Sequence, residues 1–334
     1  SLSESVPEPH ATGPGEILGF GLVLAVMLGL FFHDSLGGNK VLSPADVLLA
    51  EASFRNSNVD RDYEPANRLL MDPVLQFQPW LELNRKQIRR GNLPLWNPDA
   101  GCGTSHLANG QSAVFDPFNV IAYLWNVPDA LAWMAATRLW VAGLGMFLLA
   151  SRWGLKSWGR WFSGLVFPFT GFLISWLLYP VTPSAIWMPW LLLTGERVLD
   201  RPCGPTILQF AIVTALIVYG GHIQTAAHVL LAAGISGLWR LRTIGIGRGA
   251  IAWITGIGLG IGLAAVQILP LADYLSKSPV WSDRTREIIP WWKISKPRIP
   301  DILCTALPYI YGSQRRGHPN LARVVGAHNL NESC

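Results

Sequence analysis

Charged residues are scarce in this chain. They make up 14% of its 334 residues, against about a quarter in a typical soluble domain. Half of the residues are hydrophobic, and tryptophan occurs 16 times. The formal net charge of +5 does not predict nucleic-acid binding, because the basic residues lie in loops beside hydrophobic segments. The composition therefore predicts a membrane protein whose partners include membrane lipids.

Several familiar catalytic motifs are missing. The chain has no nucleophile elbow, no P-loop and no HExxH motif. Its four cysteines have no CxxC spacing, and the sequence leaves open whether any of them form a disulfide. The glycine-rich run GIGLGIG at residues 256–262 lacks the spacing of a dinucleotide fingerprint and follows no predicted strand. Its pairs of glycines four residues apart are typical of helices that pack closely in lipid.

Basic residues alternate between the short loops. Eight of them lie in three loops: Arg152, Lys156 and Arg160, then Arg197 and Arg201, then Arg240, Arg242 and Arg248. The intervening connections, around residues 180–183 and 220–221, contain none. Cytoplasmic loops of membrane proteins carry such an excess of Lys and Arg. The alternation predicts that the basic loops and the N-terminus are cytoplasmic.

Seven hydrophobic segments are candidates for membrane spans of roughly 17 to 25 residues. They are residues 17–32, 131–150, 161–178, 184–198, 206–219, 223–238 and 250–269. The first is slightly short, and the fourth is interrupted by Pro189, Glu196 and Arg197. We therefore predict an all-α polytopic membrane protein with about seven transmembrane helices, in which residues 17–269 form the bundle and residues 1–16 a cytoplasmic tail.

Two long loops are external in this topology, residues 33–130 and residues 270–334. Within the first, residues 74–90 form a predicted amphipathic helix with Leu75, Trp80, Leu83 and Ile88 on its apolar face. Its charged residues argue against a span, so we expect it to lie along the outer membrane surface. Gly91 is expected to end it.

Polar residues collect at the predicted outer ends of the spans. Arg138 lies within the second span, which costs roughly 2.5 to 3.5 kcal/mol on insertion scales. It either reaches the interface, some 10 Å away at about 1.5 Å per residue, or binds an anionic headgroup. His222 and Gln224 lie at the outer turn between spans five and six. We expect these residues to converge with Asp72.

Carboxylates in the first external loop are a second signal. Asp60 and Asp62 form a DxD pattern, which can hold a divalent metal ion through oxygen ligands but is more often simply solvated. Asp72 precedes Pro73 and the amphipathic helix. It is interpreted either as a helix N-cap or as a general base at the membrane surface.

Motifs from residue 72 onward resemble the YfhO-like family of bacterial membrane proteins. They are D-P-V-L-Q-F-Q-P-W at 72–80, G-N-L-P-L-W-N-P at 91–98, Gly101, Gly103, A-N-G-Q at 108–111, Pro117, G-H-I-Q at 221–224 and Q-I-L-P at 267–270. In the family's G-H-P-Q turn, Pro stands where this chain has Ile223. Family members are usually longer, so we expect the chain to correspond to the N-terminal part of one, ending inside the second loop.

The resemblance implies a layout similar to that of GT-C glycosyltransferases, in the bacterial cytoplasmic membrane. It implies transfer of a sugar from a polyprenyl-phosphate donor at the external face, with inversion, and a carboxylate that activates the acceptor. Asp72 is the expected catalytic residue and Asp34 its rival, while Arg138, His222, Gln224 and Gln76 are expected to bind the donor. The alternative is a non-catalytic scaffold or accessory subunit of a larger membrane complex.

Overall fold

The computed structural model describes residues 13–51, 54, 63–67 and 70–279. The chain divides into two compact units, one formed by Ser1–Leu42 and Trp80–Asp273 and the other by Ser43–Pro79 and Tyr274–Cys334. In the described part of the chain, the only strands are the two-residue pair Trp96–Asn97 and Thr104–Ser105, which are antiparallel. The predicted all-α fold is confirmed.

Thirteen α-helices occur among the described residues. They are α1 Pro14–Phe31, α2 His33–Leu36, α3 Gln78–Ile88, α4 Val120–Leu124, α5 Val127–Arg152, α6 Ser157–Val166, α7 Gly171–Ser175, α8 Val181–Ala185, α9 Met188–Asp200, α10 Gly204–Tyr219, α11 Ile223–Ile244, α12 Arg248–Leu263 and α13 Ala265–Ser276. Short 3-10 helices cover Ala45–Ala50, Leu107–Asn109, Pro117–Asn119 and Phe167–Phe169, and a π-helical turn covers Pro73–Phe77.

One hydrophobic core forms around α1, α5 and α6. Phe20 of α1 stacks on Phe147 of α5, with ring centroids 4.3 Å apart. The indole N–H of Trp140 donates to the carbonyl oxygen of Gly21 over 2.9 Å. Gly164 of α6 packs so closely on both phenylalanines that an added Cβ would lie 2.5 Å from the Phe20 ring and 2.9 Å from the Phe147 Cβ. The small residue therefore allows the three helices to approach each other.

A second core joins α9, α10, α11 and α12. Gly256 and Gly260 of α12 face α10, where an added Cβ would lie 2.7 Å from Phe210 and 2.4 Å from Thr214. Gly258 and Gly262 have no such neighbour within 4 Å. Of the two glycine pairs in this helix, the first therefore provides the close packing expected from the sequence.

Two helices, α1 and α5, are long and apolar enough to cross a membrane. The pair α12 and α13 adds a third span if both are counted together, although they are bent by 69° at the break between them. The shorter helix α10 is also apolar. Length and composition of the described helices thus agree with a membrane protein having two or three spans.

Three of the predicted spans are broken in the structure, whereas α11 is one continuous helix of 22 residues. Segment 161–178 divides into α6, a 3-10 helix containing Pro168, and α7. Segment 184–198 divides between α8 and α9. The uninterrupted helix predicted at 250–269 ends instead at Leu263, and a new helix begins at Ala265. Hydropathy alone had concealed these breaks, because the residues around them are apolar.

The amphipathic helix predicted at 74–90 exists but begins with a π-helical turn. The α-helical part, α3, ends at Ile88, and Gly91 follows with a φ of +75°. Leu81 and Leu83 are buried, whereas Leu75 is 42% exposed. Leu81 packs with Ala122 and Leu131, so part of this helix's apolar face is covered by protein.

The three basic loops lie at one end of the first unit, where ion pairs join them. Arg152 pairs with Glu196 and Asp200, and Arg240 also pairs with Asp200. Near the start of α1, Arg160 donates to both oxygens of Glu16 over 3.1 and 3.0 Å. Acids from other helices thus pair with several of the basic loop residues.

We predict that two glycine substitutions in α12 change the stability of the protein differently. Gly260→Ala should destabilise the protein by about 1–3 kcal/mol, because its Cβ would collide with Thr214 and with the carbonyl oxygen of Ala211. Gly258→Ala should be neutral or slightly stabilising, because nothing opposes its Cβ and alanine favours helix. Thermal unfolding in detergent measures both. Equal destabilisation by the two variants would contradict this packing.

Candidate functional site

Residues 106–119, here named the polar loop, form a buried segment between the strand pair and α4. Polar residues buried along it are His106, Ser112, Asp116 and Asn119. A backbone polar group that is buried in a loop needs a partner. Asn84 of α3 and Gln267 of α13 donate to backbone carbonyl oxygens of this loop, and Arg138 of α5 donates to two of its side chains. The conformation of the loop therefore depends on distant parts of the first unit.

Arg138 of α5 is bound to the polar loop. Its guanidinium donates to the Asp116 carboxylate over 2.6 Å and to the Asn119 amide oxygen over 3.1 Å. It also lies 5.8 Å from the centroid of the Phe118 ring. Arg138 is 7% exposed and Asp116 1%. Neither the snorkelling interpretation nor the headgroup interpretation describes this geometry, since the charge is satisfied inside the protein.

Asp116 has a second role at the start of the 3-10 helix Pro117–Asn119. Its carboxylate accepts from the backbone N–H of Phe118 over 3.4 Å. Burial raises the pKa of this carboxyl, and the Arg138 guanidinium acts in the opposite direction. The ion pair with Arg138 is thus the main interaction that offsets the free-energy cost of burying this carboxylate.

A second polar network joins α3 to the polar loop. The Asn84 amide donates to the carbonyl oxygen of Ser112 over 2.7 Å, so its Oδ1 accepts from His106 Nε2 at 2.8 Å. That arrangement puts the histidine proton on Nε2 and leaves Nδ1 buried without a hydrogen-bond partner among the described residues. Burial lowers the pKa of His106 to about 4, so the ring is neutral near pH 7.

Two turns with positive φ meet at the other side of the polar loop. Gly110 has a φ of +76° and Gly221 of +91°. A Cβ on Gly221 would lie 3.0 Å from both the Gly110 oxygen and the Ala113 side chain. Gln267 of α13 donates to the same Gly110 oxygen over 3.0 Å. The left-handed conformation favours glycine, and the absent side chains let the two turns come into contact.

His222 follows directly and caps α11. Its Nδ1 accepts from the backbone N–H of Thr225 over 3.2 Å and lies 2.7 Å from the threonine hydroxyl. The ring proton is then on Nε2. Burial lowers the pKa of His222, and His228 adds to the effect. Gln224 is exposed in the first turn of α11, so these two predicted donor-binding residues are neighbours.

Asp72 and Gln76 belong to the second unit. The Gln76 amide donates to the Asp72 carboxylate over 2.9 Å, and both side chains are exposed. Asp72 makes no capping hydrogen bond to the turn that follows it, which removes the N-cap interpretation. Its expected convergence with Arg138, His222 and Gln224 of the first unit stays a prediction.

The rival carboxylate, Asp34, is engaged by its neighbours. Lys40 donates to it over 2.5 Å and His33 Nε2 lies 3.1 Å away. The hydrogen bond from Lys40 and its charge lower the pKa of Asp34.

Asp60 and Asp62, the predicted metal ligands, lie outside the described residues. Within the described ranges, no group of three or more His, Cys, Asp or Glu side chains could hold a metal ion.

Sequence reasoning missed Asp116, Asn84 and His106. For Asp116 a signal was present, because an arginine within a span is commonly paired with an acidic side chain. Between Gly91 and Asn126 the sequence offers only Asp99 and Asp116. No comparable signal identified Asn84 or His106, whose roles arise from contacts between distant segments.

Comparison with known proteins adds no relative. No family model, curated protein or solved structure matches the chain. The resemblance to YfhO-like proteins therefore rests on the motifs alone.

Removing Arg138 alone should be costly. We expect Arg138→Met to destabilise the protein by about 3–5 kcal/mol, because it leaves a buried, unpaired carboxylate. The double variant Asp116→Asn with Arg138→Met should recover more than half of this loss, since no buried charge remains. Thermal unfolding in detergent measures the change, with the exposed Arg90→Met as control. Failure of the double variant to recover stability would show that the unpaired Asp116 carboxylate is not the source of the destabilisation.

Acidification should weaken the fold through His106. Its folded pKa, about 4, lies below the ordinary value near 6.5, so the unfolded chain binds more protons between these values. Stability should therefore fall as the pH drops from about 6.5 towards 4. His106→Gln should reduce the difference in melting temperature between pH 7 and pH 5, whereas the exposed His33→Gln should preserve it. An unchanged difference in the His106 variant would assign the acid sensitivity to other groups.

Proposed function

We propose that this protein is a membrane glycosyltransferase that takes a sugar from a polyprenyl-phosphate donor at the external face, with Asp72 as the general base. The observation that carries the proposal is the state of this carboxylate. It is exposed, it is not used for capping, and one oxygen is held by the amide of Gln76. A general base must reach the acceptor hydroxyl and keep a lone pair for its proton.

The other candidate acids are less suited to that role. Asp116 is 1% exposed and bound by Arg138, so an acceptor in solution does not reach it. Asp34 is bound by Lys40, and its lowered pKa makes it a weaker base. Asp72 is therefore the better choice, with Asp34 as the second.

The proposed setting is the bacterial cytoplasmic membrane, crossed about seven times with the N-terminus in the cytoplasm and a GT-C-like layout. Its support is the position of the basic loops, which the ion pairs of Arg152 and Arg240 with Asp200 gather at one end of the first unit. An excess of Lys and Arg at one end is typical of the cytoplasmic side. The broken helices α6–α7 and α8–α9 would then complete the third and fourth spans.

Donor recognition is proposed for His222, Gln224 and Gln76, which have polar groups at or near the surface. Arg138 is no longer proposed to bind the donor, because its guanidinium already pairs with Asp116. It holds the polar loop rather than a donor phosphate. If the donor requires a divalent metal ion, Asp60 and Asp62 are its proposed ligands.

Loss of the Asp72 carboxylate tests the proposal. Asp72→Asn should lower sugar transfer by at least about 100-fold, because an amide cannot accept the acceptor proton, while the melting temperature stays within a few degrees. Transfer from radiolabelled polyprenyl-phosphate hexose in proteoliposomes is the assay. Glu82→Gln, an exposed acid of the same helical region, is the matched control, and Asp34→Asn tests the rival.

Full activity in the Asp72 variant with loss in the Asp34 variant would transfer the role to Asp34. Wild-type protein that transfers no sugar would favour the alternative, an accessory subunit or scaffold of a larger membrane complex. The internal pairing of Arg138 with Asp116 favours that alternative, because a buried pair stabilises a loop without any ligand. Co-purification of other membrane subunits would then be expected.

A further inference from the structure

One face of α11 is apolar and exposed along its second half. Leu231, Ile235 and Leu238 lie on it at helical spacing, and Trp239 follows. All four side chains are exposed. The opposite face, which includes the buried Ala233, packs into the core shared with α9, α10 and α12. The exposed residues, here named the α11 stripe, therefore take no part in that core.

A cation ends the α11 stripe. Arg242 is exposed, and its guanidinium carbon lies over the Trp239 indole, 5.9 Å from the ring centroid. A guanidinium that meets a ring through its face keeps the N–H groups at its edge available for another ligand. Within the described part of the chain, no acidic residue pairs with Arg242. The stripe thus ends in a charge that the protein does not neutralise.

Arg240, two residues earlier, is in a different environment. Its guanidinium donates to Asp200 over 3.1 Å, and Asp200 also pairs with Arg152. The remaining basic residues of the three loops are exposed and have no acidic partner among the described residues: Lys156, Arg197, Arg201, Arg242 and Arg248. The surface at this end of the first unit therefore has an excess of positive charge.

The length of the stripe matches one leaflet of a bilayer. From Leu231 to Arg242 the helix rises about 16 Å, at about 1.5 Å per residue. The hydrocarbon core of a bilayer is about 30 Å thick, so one leaflet contributes about half of that. With the apolar residues beside an acyl chain, Trp239 lies at the interface, where tryptophan is enriched, and Arg242 lies at the level of the headgroups.

The charge of the headgroup decides how strongly Arg242 attracts it. Arginine binds phosphate through two parallel hydrogen bonds. A zwitterionic headgroup such as phosphocholine brings its own cation close to its phosphate, which opposes the attraction to the guanidinium. An anionic headgroup such as phosphoglycerol has no such cation. The stripe and its unpaired arginine therefore favour an anionic phospholipid.

We propose that the end of α11 binds one anionic phospholipid, with its phosphate at Arg242 and an acyl chain along Leu231, Ile235 and Leu238. Trp239 holds the guanidinium at the headgroup level. The inference depends on the proposed membrane setting of α11 and does not depend on sugar transfer.

Native mass spectrometry of the full chain, released from detergent, counts bound lipids and tests the site. The probes are phosphatidylglycerol and phosphatidylcholine with identical acyl chains, and glycerol phosphate as a soluble headgroup. Wild-type protein should bind the first phosphatidylglycerol about fivefold more tightly than phosphatidylcholine, the effect of one basic residue at an anionic surface. Arg242→Gln should bring this ratio close to one, and Trp239→Leu should lower it about twofold.

Arg240→Gln is the matched control, because it removes the same charge from a side chain that already pairs with Asp200. It should lower the melting temperature and leave the lipid ratio unchanged, whereas Arg242→Gln should lower the ratio and leave the melting temperature unchanged. Arg90→Gln, in the turn after α3, is a second control if the Arg240 variant does not fold. An equal loss of the ratio in the control and Arg242 variants would assign the preference to net charge and overturn the site.

The same spectra identify other occupants. Equal binding of both lipids by the wild-type protein, or equally tight binding of glycerol phosphate, would overturn the assignment to an anionic phospholipid. A lipid-free dimer that Trp239→Leu dissociates would give the stripe to a second copy of the chain and would also overturn it. An Arg242-dependent lipid preference in a protein that transfers no sugar would support this site and contradict the transferase.

Discussion

The buried pair of Arg138 and Asp116 is the interaction on which the rest of this end of the molecule depends. It joins the middle of α5 to a loop that otherwise has little regular structure. Removing either charge would leave the other without compensation in a place that water does not reach. The pair therefore fixes the start of the Pro117–Asn119 helix, and through the Asn119 bond to Ala113 it also fixes the turn that meets Gly221.

The first unit separates two kinds of polar chemistry at different places. At the basic loops, arginines and acids from separate helices pair at or near the surface. Around the polar loop, apart from one buried ion pair, the bonds are between neutral amides, hydroxyls, a neutral histidine and backbone groups. Neutral groups that are buried and nearly all bonded define position more than they supply charge.

The same distinction bears on the enzyme hypothesis. A base for sugar transfer must be accessible and unpaired by a cation, and among Asp34, Asp72 and Asp116 only Asp72 has both properties. Its partner is the neutral amide of Gln76. Burial and ion pairing thus distinguish these three acids as candidate bases, whereas their positions in the sequence do not.

The sequence by itself determined the helical class, because apolar runs of helical length recur along the chain. It also determined that the amphipathic helix ends shortly before Gly91 and that basic residues group into alternate loops, since both depend on local composition. The close packing at Gly256 and Gly260 was predictable from their spacing. What remained undetermined was the choice between that pair and Gly258 with Gly262, because only the neighbouring helix α10 distinguishes the two faces.

Tertiary structure alone decided the partner of Arg138 and the contact between Gln267 and the Gly110 turn. Each of these depends on residues far apart in sequence: Arg138 meets Asp116 across 22 positions and Gln267 meets Gly110 across 157. A single sequence records that an arginine in an apolar helix needs a partner, but it does not record which acid the fold brings there. Desolvation makes the partner necessary, and only the packing of the chain supplies it.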